Sequence, residues 1–328
     1  MNPFPDDATV DVLLATDEGT REPQRLQNLV VRGRSSLGVF IEQDTRRDHV
    51  SALVDVTRGR LVVDRIQTFD GSNDPAFEGI TLGLGAPTPA EEWIYPDGLV
   101  DEGITEQVVV YNTSDEVAEI DVEVRLDDPD TNGVPEPFEL TIAPNRFALV
   151  NLHEPDPEAS EDVPPRIPPG VGHTLLVRSL NGVPVTAERV MTMSEPNGFL
   201  GVSATLGAPL AAPTWYFPGG GVTDEREEVL TIFNASADTV GLVDVTAVSG
   251  GEAVDLPDLQ DLEIPAGGRR SIRMSRHVEG VEDLFVTVTA DGPVVVERGL
   301  YRVAGRGSSL SMGIPLAVDV LVPDPIEG

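Results

Sequence analysis

Hydrophobic and polar residues alternate along most of the chain with a period of two. Residues 110–126, VYNTSDEVAEIDVEVRL, and residues 232–248, IFNASADTVGLVDVTAV, each read as a strand, a polar turn led by asparagine, and a second alternating strand. Strict alternation is typical of β-strands with one buried face, and no segment of the sequence shows the longer period of an amphipathic helix. The pattern therefore predicts an all-β protein.

Three pairs of alternating runs are predicted to be β-hairpins. They occupy residues 53–66, 175–190 and 284–299, and their halves are joined by Arg-Gly, Asn-Gly and Asp-Gly. Such dipeptides suit tight turns because glycine and asparagine readily adopt the positive φ that these turns require.

The same order of elements occurs three times. Asn2, Asn112 and Asn234 begin similar polar turns, and Gly-Ala-Pro closes two of the copies, at 85–87 and 207–209. Each full copy contains about seven short predicted strands, the number in an immunoglobulin-like sandwich. We therefore predict tandem immunoglobulin-like β-sandwich repeats, of which the first is truncated at its N-terminus.

These repeats set the predicted domain boundaries. Residues 1–86 are a partial repeat that lacks its first strands, residues 87–208 are a full repeat, and residues 209–328 are a second full repeat. An acidic, proline-rich stretch at 153–172 is predicted to be a mobile loop of the middle repeat. We expect the natural protein to extend N-terminally, this chain being a fragment or having a misassigned start. The short spacing between repeats predicts a stiff rod.

Composition excludes several classes of partner. The formal net charge is −34, which disfavours binding to nucleic acid and to anionic membrane surfaces. All 22 basic residues are arginines, and cysteine is absent, so disulfides, zinc–thiolate sites and a cysteine nucleophile are excluded. No run approaches the ~18 apolar residues of a membrane-spanning helix.

One acidic stretch matches the pattern of a calcium loop. Residues 128–139 read DPDTNGVPEPFE, and hard oxygen ligands at alternate positions are what Ca²⁺ requires. The oxygen ligands would be Asp128, Asp130, Asn132 and Glu139, with Gly133 at the turn. The alternative is an acidic loop tip without metal, favoured by Pro135 in the place of the usual aliphatic residue and by the lack of flanking helices. No other cofactor is predicted.

An acid followed by an arginine recurs at one position of the second run of each predicted hairpin. The pairs are Asp64-Arg65, Glu188-Arg189 and Glu297-Arg298. Adjacent strand residues face opposite sides, so both members of a pair cannot point inward. We interpret the acids as salt-bridge partners or as contacts between repeats. The alternative is a carboxylate that lines the cleft of an enzyme, for which a second acid ~5–10 Å away would be needed. Among the histidines, only His153 and His173, which flank the predicted loop, are placed to meet.

Two aromatic segments contain the only tryptophans of the sequence. Trp93 and Tyr95 belong to one, and Trp215, Tyr216 and Phe217 belong to the other, each following Gly-Ala-Pro at the start of a repeat. Burying an indole removes ~150–250 Å² from water, which is enough to stiffen a boundary between repeats. We therefore predict that these residues form structural joints. The alternative is a carbohydrate platform, in which sugars stack on exposed rings.

The sequence resembles a family of actinobacterial extracellular proteins of unknown function. The resemblance rests on the tryptophan segments, on Asn-Pro-Phe-Pro-Asp-Asp-Ala at 2–8, on Ala-Glu-Arg or Val-Glu-Arg at 187–189 and 296–298, and on the closing Gly-Ala-Pro. It implies an exported, envelope-associated protein with a β-sandwich fold, and it implies no activity.

These observations lead to one expected function and two alternatives. We expect a non-enzymatic, extracellular structural or adhesive repeat protein of a bacterial cell envelope, with a signal or anchor upstream of this chain. Its expected partners are a cell-wall glycan or another envelope protein, without direct membrane contact by this chain. The first alternative is a carbohydrate-binding module that uses Trp93 and Trp215. The second is an enzyme with a hidden carboxylate pair at Glu188 or Glu297.

Overall fold

The computed structural model of the chain describes residues 1–71, 78–153, 165–194, 199–303 and 305–316. These residues form an all-β, sandwich-like structure of several antiparallel sheets. None of the helices among them has the length and apolar character needed to cross a lipid bilayer. For description, the chain is divided at the predicted boundaries into an N-terminal segment (1–86), a central segment (87–208) and a C-terminal segment (209–316).

The N-terminal segment is built around its first strand. Its elements are β1 (Ala8–Thr16), β2 (Gly19–Arg21), β3 (Leu29–Val31), β4 (Val50–Arg58), β5 (Asp64–Asp70) and β6 (Glu78–Leu84), with 3-10 turns at Gln24–Leu26 and Ile41–Gln43. Strand β1 pairs with β2, β3 and β4, whereas β5 and β6 form a separate two-stranded ribbon. Val12, Leu14 and Leu26 form a small core in this segment.

The central segment consists of two four-stranded antiparallel sheets. Its elements are β7 (Glu92–Leu99), β8 (Ile104–Asn112), β9 (Ala118–Leu126), the helix α1 (Pro129–Asn132), β10 (Phe138–Ile142), β11 (Arg146–Asn151), β12 (Gly172–Ser179), β13 (Thr186–Met193) and β14 (Gly201–Leu206). The strand orders are β10-β9-β12-β7 and β11-β8-β13-β14. The alternating apolar side chains meet in one core, which includes Val108, Val122 and Val177.

The C-terminal segment repeats this arrangement with one long strand. Its elements are β15 (Ala212–Phe217), β16 (Arg226–Asn234), β17 (Gly241–Ser249), β18 (Glu252–Val254), β19 (Leu262–Ile264), β20 (Arg269–Arg273), β21 (Phe285–Arg302), β22 (Ser308–Met312) and β23 (Ile314–Pro315), with 3-10 turns at Pro257–Leu259 and Met274–Arg276. The first part of β21 pairs with β15 and β17, and its second part pairs with β16 and β22. Strand β21 therefore belongs to both layers.

The three predicted hairpins are not formed. Strands β12 and β13 lie in different sheets, β4 pairs with β1 while β5 pairs with β6, and the third predicted hairpin is the continuous strand β21. Gly59 and Gly182 do adopt positive φ, of 85° and 76°. The turns at these glycines connect strands that lie in different sheets, β4 with β5 and β12 with β13. Each strand has one apolar face, and that face can reach the core from either sheet.

One asparagine has the same role in all three segments: Asn112 and Asn234 end β8 and β16, and Asn2 precedes β1. The Nδ2 of Asn112 donates to the backbone oxygens of Glu116 and Ile142, at 2.6 and 3.0 Å. The Nδ2 of Asn234 donates to Thr239 and Ile264, at 2.8 and 3.0 Å. Asn2 donates to Asp6 and Val31, at 2.8 and 3.1 Å. All three side chains are buried, so each satisfies the backbone of a turn and of a neighbouring strand.

Most of the predicted loop at 153–172 cannot be compared with the structure, since residues 154–164 lie outside the described residues. At its far end, Ile167 is buried in the core of the central segment, and Gly172 is the first residue of β12. The last part of this stretch is therefore packed against the central sheets.

Candidate functional site at the junctions between segments

Both tryptophans are buried. Trp93 and Trp215 are 2% and 1% exposed. The indole N–H of Trp93 donates to the backbone oxygen of Val185 at 2.8 Å, and that of Trp215 donates to the equivalent Val294 at 2.8 Å. Each ring therefore fastens the opening strand of its segment to the core. The alternative of a carbohydrate platform requires solvent-exposed rings on which sugars can stack. Neither indole presents a face to solvent.

The other aromatic residues of these segments explain the glycine of Gly-Ala-Pro at 207–209 and of Gly-Ile-Pro at 313–315. Tyr95 and Phe217 are buried, and Tyr216 is half-buried beside Phe285. A Cβ atom on Gly207 would lie 2.8 Å from Cζ of Tyr95. A Cβ on Gly313 would lie 2.6 Å from Cζ of Phe217. The chain therefore has glycine where it passes directly over the aromatic ring.

The recurring acid-arginine pairs join successive segments. Arg65 of the N-terminal segment contacts both carboxylate oxygens of Glu188 in the central segment, at 2.7 and 2.8 Å. Arg189, the next residue, forms an ion pair with Glu297 of the C-terminal segment. Because Glu188 and Arg189 are adjacent in β13, they face opposite sides, one towards the preceding segment and one towards the following segment. The same contact is thus made at two successive junctions.

The pair of Arg189 and Glu297 lies in a buried polar network. Arg189 Nη1 donates to the backbone oxygen of Asp97 at 2.8 Å and lies 3.6 Å from Oε1 of Glu106. Its guanidinium stands over the ring of Tyr95, 5.2 Å from the centroid. The backbone N–H of Asp97 donates to Oε2 of Glu297 at 3.0 Å. The strand that carries the first tryptophan therefore contributes backbone groups to the junction.

Burial and charge shift the pKa values of this network. Burial raises the pKa of Glu297 to about 7, Arg189 opposes this shift, and the charge of Asp97 adds to it. Burial alone lowers the pKa of Arg189, but the carboxylates of Glu297 and Glu106 outweigh burial, so the pKa lies above its ordinary value. A carboxyl group with a pKa near 7 is suited to proton transfer, but the Glu297 side chain has no exposed surface that a substrate reaches. The arrangement is that of a structural ionic cluster.

The two histidines that flank the predicted loop both approach Glu106. Nε2 of His173 lies 2.8 Å from Oε2 of Glu106, and Nδ1 of His153 lies 3.1 Å from the backbone oxygen of Glu106. Among the residues that the structure describes, no group of three or more His, Cys, Asp or Glu side chains is placed to hold a metal ion.

The residues of the predicted calcium loop serve the backbone and the sheet. Pro129–Asn132 form the short helix α1, and Nδ2 of Asn132 donates to the backbone oxygen of Asp127 at 2.6 Å. Glu139 lies in β10, directly opposite Asp121 of β9. Glu139 therefore belongs to the sheet and does not close a loop around Asp128 and Asp130.

A second arginine strengthens the junction between the central and C-terminal segments. Arg269 contacts both oxygens of Asp127, at 2.7 and 2.9 Å, and donates to the backbone oxygen of Pro96 at 2.9 Å. At the preceding junction, Arg146 donates to the backbone oxygen of Asp17 at 2.7 Å.

Apolar side chains complete this junction. Ile104, Met191 and Met193 of the central segment pack against Tyr301 and Leu310 of the C-terminal segment.

Strand β14 lies between β6 of the N-terminal segment and β22 of the C-terminal segment. On the side of β6, the backbone N–H of Ala204 donates to Thr81 Oγ1 at 3.2 Å. On the side of β22, Thr205 Oγ1 donates to the backbone oxygen of Leu310 at 3.0 Å.

Four members of the junction were not predicted from the sequence: Asp97, Glu106, Asp127 and Arg269. A signal was present for Glu106, since it occupies an inward position between Ile104 and Val108 of an alternating strand. A carboxylate at such a position requires a buried partner. No comparable signal exists for Asp127 and Arg269, which are brought together only by the packing of two segments.

Comparison with known proteins gives a match to one family model. The model is described as a family of unknown function (DUF5719), and it matches residues 184–296, from the end of the central segment through most of the C-terminal segment. The comparison with curated proteins gives no match.

Three solved structures share limited similarity with the chain. Thermotoga maritima 1070 is 22% identical, with 37% of this chain and 95% of that chain covered and a TM-score of 0.28. The Anabaena sensory rhodopsin transducer is 18% identical, with coverages of 34% and 92% and a TM-score of 0.25. The Streptomyces avermitilis α-L-rhamnosidase is 11% identical, with coverages of 96% and 38% and a TM-score of 0.18. Scores this low carry no argument about function.

Proposed function

We propose that the chain is a non-enzymatic structural or adhesive repeat protein of a bacterial cell envelope. Its three segments are tandem immunoglobulin-like β-sandwich repeats, and its task is to hold a partner at a fixed distance. The observation that carries this proposal is the arginine-to-glutamate contact made at two successive junctions, by Arg65 with Glu188 and by Arg189 with Glu297. The extracellular location is inferred from the resemblance of the sequence motifs to actinobacterial extracellular proteins.

The buried junction supports a stiff connection. A charged pair withdrawn from water is stable only where geometry and further hydrogen bonds satisfy both groups, so it restricts how the two segments are placed. Both carboxylate oxygens of Glu297 are bonded, one to Arg189 and one to the backbone N–H of Asp97, and Arg189 donates through Nη1 and Nη2. Such a junction suits a spacer, whereas a flexible linker would leave the segments free to move.

Stiffness is tested by measuring the distance between two spin labels. The chain has no native cysteine, so Asp115→Cys and Asp258→Cys place one label on an exposed site of each of the last two segments. We expect one narrow distance distribution, which broadens with Arg189→Ala. Arg178→Ala is the matched control, because the ion pairs that Arg178 forms among the described residues are with Glu92 and Glu123 of its own segment. A broad distance distribution in the labelled chain without any further substitution would overturn the proposed spacer.

Glycan binding is tested by acrylamide quenching of tryptophan fluorescence, with and without cell-wall polysaccharide. Trp93→Phe and Trp215→Phe each leave a single emitter, so the two sites are read separately. We expect both indoles to be shielded and their quenching to be unchanged by polysaccharide, because both rings are buried. Accessible tryptophans that polysaccharide protects would contradict the structural role and favour a carbohydrate-binding module.

A further inference from the structure

The motif Arg-Gly-Arg occurs twice in the N-terminal segment, at residues 32–34 and 58–60. The first copy follows β3, and the second begins at the last residue of β4. Both strands pair with β1, so that Ala8 lies opposite Val31 and Thr9 lies opposite Arg58. The two motifs therefore flank the turn at residues 4–7, which leads into β1. We call their four arginines the arginine patch: Arg32, Arg34, Arg58 and Arg60.

The glycine of each motif allows the chain to pack closely against this turn. A Cβ atom on Gly33 would lie 2.0 Å from the backbone oxygen of Pro5. A Cβ on Gly59, which has a φ of 85°, would lie 2.9 Å from Cβ of Ala8. A side chain at either glycine would push its motif away from the turn, so the backbone that carries the arginines is fitted to the start of β1.

Phe4 connects the two motifs. The backbone N–H of Arg34 donates to the backbone oxygen of Phe4 at 2.9 Å. The guanidinium of Arg60, in the other motif, lies 3.9 Å from the centroid of the Phe4 ring. The arginine patch is therefore one continuous surface and not two separate loops.

The patch has more positive charge than its surroundings neutralise. All four arginines are exposed, and within the described part of the chain none of them forms an ion pair. The turn between the motifs contributes two carboxylates, Asp6 and Asp7, and Oδ1 of Asp7 accepts the backbone N–H of Gly33 at 2.9 Å. Four guanidinium groups thus face two carboxylates, in a chain whose net charge is −34. Such a local excess of positive charge attracts anionic ligands.

The same corner is open to solvent in the central segment, which has a neighbouring segment on each side. By strand register, Ala143 corresponds to Arg32 and Leu180 corresponds to Arg58. Ala143 is exposed, and Leu180 is 61% exposed. Neighbouring segments therefore leave this corner uncovered. Because both counterparts are uncharged, a segment needs no arginine at these positions to fold or to join its neighbours.

We propose that the arginine patch binds an acidic polymer of the cell wall. Each guanidinium presents a planar fork of N–H donors that matches the two oxygens of a carboxylate or of a phosphate. Four such forks around one turn suit a ligand that repeats its acidic group, since several groups are bound at once. This inference rests on the proposed structural or adhesive function and names its partner.

The composition of the patch favours this partner over a single-stranded nucleic acid. Proteins that bind single strands combine a basic groove with exposed aromatic rings on which the bases stack. The aromatic ring at this patch is that of Phe4, and the guanidinium of Arg60 lies over it. The patch is thus built to recognise charge and offers no open ring for a base.

The test is isothermal titration calorimetry of the unmodified chain with two acidic polymers. Polygalacturonate supplies carboxylates, inorganic polyphosphate supplies phosphates, and dextran is the neutral polymer. Ionic strength is held at about 0.1 M, where a Debye length of about 10 Å screens the distant acidic groups of the chain. We expect binding to at least one acidic polymer and none to dextran. The polymer that binds more tightly identifies the acidic group.

Paired substitutions locate the binding at the patch. Arg34→Gln combined with Arg60→Gln should lower the affinity at least about tenfold, because two charge-assisted contacts are lost. Arg270→Gln combined with Arg276→Gln is the matched control, since it removes the same charge from exposed sites of the C-terminal segment. The control should change the affinity less than about twofold.

Three results would overturn the proposal. They are no binding to either acidic polymer, an equal loss of affinity in the control variant, and tighter binding to single-stranded DNA than to both acidic polymers. Arg32→Gln combined with Arg58→Gln repeats the test without disturbing the contact of Arg60 with Phe4, and it should weaken binding to a similar extent. All four side chains are exposed, so these variants keep the fold.

The spin-label experiment separates this proposal from the proposed spacer. A narrow distance distribution in a chain that binds neither acidic polymer would refute the arginine patch as a binding site and leave the spacer. A broad distribution in a chain that binds them would refute the spacer and leave the binding site.

Discussion

Arg189 and Glu297 form an ion pair that is withdrawn completely from solvent, although 108 positions separate them in the chain. The equivalent pair at the preceding junction, Arg65 with Glu188, is open to water, with 45% and 20% of the side chains exposed. The same chemistry is therefore present at two junctions with very different burial. The exposed pair of Arg65 and Glu188 is therefore a control for the buried pair of Arg189 and Glu297 within the same chain.

Removing Arg189 should be strongly destabilising. Arg189→Met leaves the buried carboxylates of Glu297 and Glu106 without their cation, and breaking a buried pair in this way costs about 3–5 kcal/mol. Arg65→Met should cost no more than about 1 kcal/mol, because its pair is exposed. The measurement is the free energy of unfolding from urea titration. Equal losses from the two variants would contradict a buried junction.

The stability of the junction should fall as the pH rises. Below the ordinary glutamate pKa of 4.5 both folded and unfolded states hold the proton of Glu297, whereas the folded pKa is about 7. Between these values the unfolded state ionises first, so the stabilisation present at low pH is lost as the pH rises through 7. The network that faces Glu297 contains Arg189, Asp97, Glu106 and Tyr301.

Glu297→Gln isolates this effect. The free energy of unfolding of the unmodified chain, minus that of the variant, should decrease between pH 4.5 and 7 and then level off. Parallel pH profiles for the unmodified chain and Glu297→Gln would show that the carboxyl titrates alike in both states, contrary to this expectation.

The all-β fold could be predicted because alternation is a local property of the chain. In β9 every second side chain is buried, as the sequence 118–126 indicates. Asn112 and Asn234 were identified for the same reason, since each bonds to the turn that follows it in sequence. Local patterns therefore predicted the strands and the asparagine turns.

Strand pairing was not predictable in the same way. A run with one apolar face fits either layer of a sandwich, so nothing local separates a hairpin from a crossing between sheets. The sequence consequently predicted hairpins where β12 and β13 lie in different sheets. The partners of Arg189 are also set by packing, because Glu297 lies in another segment of the chain.

The glycine that closes each segment, in Gly-Ala-Pro at 85–87 and 207–209 and in Gly-Ile-Pro at 313–315, should tolerate no side chain at the second and third of these positions. Gly207→Ala and Gly313→Ala push a methyl group into Tyr95 and Phe217, so each should lower the free energy of unfolding by about 1–3 kcal/mol. Gly85→Ala is the matched control, since the nearest atom lies 3.6 Å from the added carbon. Thermal unfolding monitored by circular dichroism measures all three. A loss in Gly85→Ala as large as in the others would contradict the steric explanation.

The buried asparagines should be harder to replace than asparagines of ordinary exposed turns. Asn234 donates to the backbone oxygens of Thr239, Ile264 and Pro265 and accepts from the N–H of Ser236 at 3.0 Å. Asn234→Ala leaves these groups unsatisfied and should cost at least about 1–3 kcal/mol. Asn234→Asp keeps the shape but turns a donor towards carbonyl oxygens into an acceptor, and at neutral pH should be no less costly than alanine. Asn181→Ala, at an exposed turn, should change stability by less than about 0.5 kcal/mol. If Asn234→Asp were as stable as the unmodified chain, the donated bonds would not be what holds the turn.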